Sequence, residues 1–141
     1  MPFEHRDHQA DVVLVAWGST LVEAFESGAQ GLLELMVSTA SIEPSVSVEI
    51  TGQAEDLATL FVTFLNEVLF ERDRHGMFFR GVTVQRVEQG ETGYTLSGTA
   101  WGEPVDLRKH RGRLEAKAAT YGQLDYTCVD GTHRFQCIID I

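Results

Sequence analysis

The apolar positions change period twice along the chain. Val12 to Trp17 is an unbroken apolar run and reads as a buried strand. After Gly18-Ser19 the spacing becomes helical, through Leu21, Ala24, Phe25, Gly28, Leu32, Leu35 and Met36. Thr20-Leu21-Val22-Glu23 is a capping box at the start of that helix. Gly28 and Gly31 either weaken it or let it approach another backbone closely. Val46, Val48 and Ile50 then alternate with polar residues, which predicts a half-buried strand over 45–51. A second helix follows, with its apolar stripe at Leu57, Leu60, Phe61, Phe64, Leu65, Val68 and Leu69. Glu55 and Asp56 sit at its positive end, Arg72 and Arg74 at its negative end, and Gly76 can stop it.

Beyond Gly76 the pattern is that of strands, over 78–87, 94–101, 113–121, 124–129 and 135–141. Gln89 to Gly93 forms a hairpin loop, Gly102-Glu103-Pro104 opens a loop through Arg111, and Asp130-Gly131 is a two-residue turn. In the 113–121 strand, Leu114, Ala116 and Ala118 are expected to face the core, with Glu115 and Lys117 neighbours on the other face. The order of elements predicts an α+β fold, antiparallel β-sheet packed with two α-helices, in a single domain over residues 1–141.

Size and charge narrow the function. A chain of 141 residues is long enough for a real core. No apolar run approaches the ~20 residues needed to span a membrane, and the first residues lack the apolar core of a secretion signal. The net charge of -10 disfavours a protein that grips a phosphate backbone directly. Arg108-Lys109-His110-Arg111 is a local basic loop, read as solvated surface. With the turn at Asp130-Gly131, Cys128 faces His133 and Cys137 opposes Leu124. At ~3.3 Å per residue the two cysteines are then too far apart to bridge. They are expected as two buried thiols in a reducing cytoplasm.

The candidate chemistry lies at the two ends. Asp11 immediately precedes the first apolar run, and Phe135 to Ile141 reads as a packed terminal strand carrying Asp140 and the carboxylate of Ile141. Three such oxygen donors brought together would repel one another unless a hard cation sat among them: calcium, magnesium or manganese. Taken singly, Asp11 is also an ordinary turn aspartate and Asp140 an outward residue of the last strand. His5 and His8 lack the cysteine or second histidine pair that zinc would need. No nucleophile triad, Cys-His pair or phosphate-binding loop is present, and no catalytic residue is assigned.

Six segments together resemble the archease family. They are His8-Gln9-Ala10-Asp11-Val12, Gly18 to Phe25, Leu65-Asn66-Glu67, Ala100-Trp101-Gly102-Glu103-Pro104, Lys117 to Tyr121, and Asp140-Ile141. The resemblance implies a non-enzymatic, cytoplasmic accessory protein. Its partner would be a GTP-dependent RNA ligase of the RtcB type, active in tRNA splicing and RNA repair, whose guanylylation and turnover it promotes. It also implies a divalent cation, typically calcium, held by Asp11, Asp140 and the terminal carboxylate of Ile141. Lys117, His8 and Thr120 are then the expected partner contacts. The chain departs from the family pattern at Asp7, Gln9 and Gly122. Two other readings remain: a chaperone-like interaction module without a metal role, and a small metal-dependent phosphoesterase with His8 as its base.

Overall fold

A computed structural model describes residues 2–8 and 11–141, of which residues 6–8 by their backbone alone. Its elements are β1 (Phe3–His8), β2 (Asp11–Gly18), α1 (Leu21–Met36), β3 (Val46–Ala54), α2 (Leu57–His75), β4 (Met77–Gln89), β5 (Tyr94–Pro104), β6 (Ala118–Val129) and β7 (Thr132–Asp140), with a short 3-10 turn over Thr39–Ser41. The fold is α+β, as the order of periods predicts.

Two antiparallel sheets form, one in the order β1-β2-β7-β6 and the other β3-β5-β4. The helices lie between them. α1 packs on β2 of one sheet and β4 of the other, while α2 packs on β6 and β3. An amphipathic stripe covers only one sheet, so both helices are wider in their apolar cover than a surface helix. Phenylalanines fill the centre. Phe135 of β7 lies 4.8 Å from Phe61 of α2, stacked, and 4.9 Å from Phe25 of α1. All three are fully buried.

Local sequence explains the helix ends. The Thr20 hydroxyl accepts from the Glu23 N–H, and Glu23 reaches back one residue further, to the N–H and hydroxyl of Ser19. Asp56 caps α2 by accepting from the Thr59 N–H, and Gly76 ends it with φ of 59°, a conformation that favours glycine. Gly28 is where the helices approach closely. A β-carbon there would come within 2.4 Å of the Phe61 ring.

Several expectations are corrected. β1 has no pattern that predicts it: Phe3 to His8 is a charged edge strand without apolar alternation. β5 runs on to Pro104, so the loop opens later. Residues 113–117 are not a strand: β6 begins at Ala118 and is continuous, with a bulge, to Val129. Leu114 is therefore 45% exposed rather than in the core, and Glu115 pairs with Arg72 across the molecule, not with Lys117. The bulge also removes the expected Leu124–Cys137 rung, since Thr120 pairs with Ile138 and Asp125 with Gln136. Cys137 is buried but Cys128, which does face His133, is exposed. His110 is buried, not part of a solvated loop.

Candidate functional site

The register of β2 against β7 sets the site. Its rungs run from Asp11 opposite Asp140 to Gly18 opposite His133. Residues on one rung share a face of the sheet. Val12, Leu14 and Ala16, with Ile139, Cys137 and Phe135, point into the core. Alternation puts the next set outward, where Val13, Val15 and Ile138 form a small buried cluster with Trp17 against it. The end rung of that outer face is two carboxylates. Cross-strand partners hold their β-carbons about 4.5–5.5 Å apart, and like charges so placed are destabilising.

Both aspartates are half-buried, and among the described residues neither carboxylate has a hydrogen-bond or ion-pair partner. Ile141 comes next. Its side chain packs against the main core, which fixes its backbone oxygens one residue beyond Asp140. Among the described residues no three His, Cys, Asp or Glu side chains gather to hold a metal. The donors on offer are two carboxylates and main-chain oxygen, a hard, all-oxygen set that fits calcium, magnesium or manganese rather than zinc. Calcium takes about 6–8 oxygens, so this set would leave positions for water or for another protein's groups.

The remaining predicted residues lie on the segments either side of this rung. The Lys117 N–H donates to the Asp140 carbonyl at 2.8 Å, and Ala118 pairs with Asp140. The Lys117 side chain is exposed. The Thr120 hydroxyl donates to the Ile138 carbonyl at 3.0 Å, so it stitches β6 to β7. His8 pairs with Asp11 through its backbone; its side chain lies outside the described residues, as do Gln9 and Ala10. Gly122 sits in the bulge, where a β-carbon would come 2.9 Å from Cδ1 of Ile138.

Two further residues have partners that the sequence does not disclose. Asn66, on α2, uses both atoms of its amide on one residue of β6. Its Nδ2 donates to the Ala119 carbonyl at 2.9 Å and its Oδ1 accepts from the Ala119 N–H at 2.8 Å. It thereby holds the Lys117–Thr120 segment against the helix. Glu103 accepts from the Glu43 N–H at 2.6 Å and from the Lys109 Nζ at 2.9 and 3.1 Å. These donors, the Glu43 N–H foremost, lower its carboxyl to about 2. Beside it lies His110, whose Nδ1 accepts from the Asp106 N–H at 3.0 Å and whose Nε2 is 3.3 Å from Glu103. Both residues fall inside recognised segments, but only the fold reveals what each one holds.

Comparison with known proteins agrees with this architecture. Residues 3–141 match the Archease protein family (MTH1598/TM1083). The chain is 43% identical over 119 residues to the protein archease of Thermococcus gammatolerans, covering 84% of this chain and 83% of that one. It is similar to the solution structure of Methanobacterium thermoautotrophicum protein 1598, with a TM-score of 0.85, 30% identity and 99% of each chain covered. It shares its fold with the crystal structure of an archease from Thermotoga maritima, described as a possible chaperone. There the TM-score is 0.60, with 19% identity over 96% of this chain and 94% of that one.

Proposed function

The chain belongs to the archease family, and from that membership together with the paired carboxylates we propose that it is a divalent-cation-binding accessory protein of an RtcB-type RNA ligase. Asp11, Asp140 and the main-chain carboxyl of Ile141 are the proposed ligands, and calcium is the proposed ion. The observation that carries the reading is the rung Asp11–Asp140, two acidic residues from opposite ends of the chain placed on one face. A bound ion supplies positive charge that relieves their repulsion and an open shell that another protein can complete.

Around that centre the chain's own residues do the rest. Asn66 fixes β6 through Ala119, and the Lys117 backbone anchors to Asp140. The Lys117 backbone thus sits next to Asp140, and its exposed ammonium is the group we assign to a nucleotide phosphate of the ligase. The protein acts as a docking cofactor in the ligase's guanylylation and performs no bond chemistry itself.

The test is guanylylation of a ligase from the same cell, with and without this protein, in calcium and in chelator. Stimulation that fails with Asp11→Asn and Asp140→Asn supports the reading. No stimulation by the unaltered protein overturns it. Stimulation that survives both substitutions favours a chaperone-like role without a metal. Extending the chain by one residue beyond Ile141 displaces its carboxylate, and unchanged calcium affinity would remove that group as a ligand.

A further inference from the structure

At the other end of β2 from Asp11, a trough of about 780 Å³ opens between the two sheets. Its size is that of a binding pocket, within the usual range of roughly 300–1,000 Å³. Its floor is one stripe of α1, Glu23, Glu26 and Gln30 among it, and its walls are β1 and β2 on one side and β4 on the other. Both tryptophans of the chain, Trp17 and Trp101, line it, together with Phe3.

β4 is one of the two edge strands of its sheet, so alternate N–H and C=O groups point away from β5. α1 fills two of these positions. Glu26 accepts from the Val84 N–H at 2.8 Å, and Gln30 donates to the Arg80 carbonyl at 3.4 Å. Alternation turns the N–H and C=O of Val82, the rung between, toward the same side. Among the described residues nothing of the protein fills that rung. An unfilled strand edge is a template for another strand.

The charge says what kind of strand. The Glu23 carboxyl is lowered by the hydroxyl and N–H of Ser19, which use one of its oxygens, and among the described residues the second oxygen of Glu23 and that of Glu26 have no partner. Arg80, at the rim, turns one guanidinium nitrogen, Nη1, to the carbonyls of Ala40 and Ile42, so it is one positive charge against the two carboxylates. Carboxylates beside aromatic faces are complementary to a lysine or arginine side chain, through ion pairing and cation–π attraction. We propose that this trough docks an extended, lysine- or arginine-bearing segment of a partner protein. The segment's backbone pairs with Val82, and its basic side chain lies among Trp17, Trp101, Glu23 and Glu26. This is strand addition with a charged anchor, independent of the cation reading at the opposite end of β2.

Because both tryptophans of the chain line the trough, indole fluorescence reports on its occupation. The probe is an acetylated, amidated hexapeptide alternating valine and lysine, with a valine–glutamate counterpart as control. The expected result is a saturable change in emission with the lysine peptide, at a half-saturation at least about tenfold below that of the glutamate peptide. Glu23→Gln with Glu26→Gln keeps both hydrogen-bond acceptors and should weaken binding about tenfold. N-methylating the peptide's valine nitrogens leaves the protein untouched and should weaken binding likewise. The proposal is overturned by no emission change up to millimolar peptide, by equal response to the glutamate peptide, or by full-strength binding of the N-methylated form.

Discussion

Asp11 and Asp140 stand directly opposite each other on the end rung of β2 and β7, with no described basic side chain between them. In chelator this is a like-charge cross-strand pair, so Asp140→Asn should stabilise the protein by about 0.2–1 kcal/mol. In millimolar calcium the order should reverse. The unaltered protein gains stability by mass action as the ion binds the native state, while the variant gains little. Thermal melts of both proteins in calcium and in chelator check this. A calcium-induced rise in melting temperature as large in the variant as in the parent would remove Asp140 as a ligand.

Asn66 offers a sharper test of how the site is held. Asn66→Ala leaves the N–H and C=O of Ala119 without their side-chain partners. An unsatisfied buried polar group costs about 1–3 kcal/mol, and urea denaturation should show a loss of that order. The Ala119 amide should also exchange faster with deuterium than in the parent protein. Asn66→Asp keeps the acceptor for the Ala119 N–H but sets a carboxylate against the Ala119 carbonyl. It should therefore destabilise as well, and more at neutral pH than in acid.

These two residues show where the sequence is readable and where it is not. α1 and α2 stand at their predicted places because an apolar stripe with a cap at each start leaves few alternatives. The outward place of Asp140 was legible too, since its strand alternates cleanly, but its rung with Asp11 comes from the register of β2 against β7, which alternation alone does not give. β1 was not legible. An edge strand of Phe-Glu-His-Arg-Asp-His owes its place to pairing with β2, which no local pattern encodes. The stretch 113–117 failed for the opposite reason. It alternates like a strand, yet Arg72 on α2 draws Glu115 to itself and the Arg113 and Leu114 N–H groups bond to the end of α1. Asn66 reads as one more polar residue on a helix until β6 is laid beside it.

Gly28 reverses the usual rule for helices. Glycine in a helix interior costs roughly 1 kcal/mol relative to alanine, so Gly28→Ala would stabilise an isolated α1. Here the new methyl group would meet the Phe61 ring within 2.4 Å, and that ring is itself stacked on Phe135. Overpacking of a full core costs about 1–3 kcal/mol, so a net loss of stability is expected in urea. In a Phe61→Leu background the ring is gone, and Gly28→Ala should cost less or even stabilise. Additive losses in that double-mutant cycle would place the strain elsewhere.

Glu103 gives the pH dependence its direction. Its carboxyl is lowered from 4.5 to about 2 by the Glu43 N–H, then by Lys109, so the folded protein favours the ionised form more than the unfolded chain does. A group lowered on folding stabilises above its unfolded value and loses that contribution as pH falls toward its folded value. The contribution is therefore whole above about pH 4.5 and fades between there and pH 2. Glu103→Gln keeps an acceptor for the Glu43 N–H but has no charge for Lys109. Melting temperatures of parent and variant should differ most near neutral pH and converge as the solution is acidified through that window. High salt should narrow the gap at neutral pH, because Lys109 is partly exposed and its attraction is screened. A gap that stays constant from pH 6 to pH 2.5 would mean that the charge on Glu103 does not hold the 43 and 106–110 loops together.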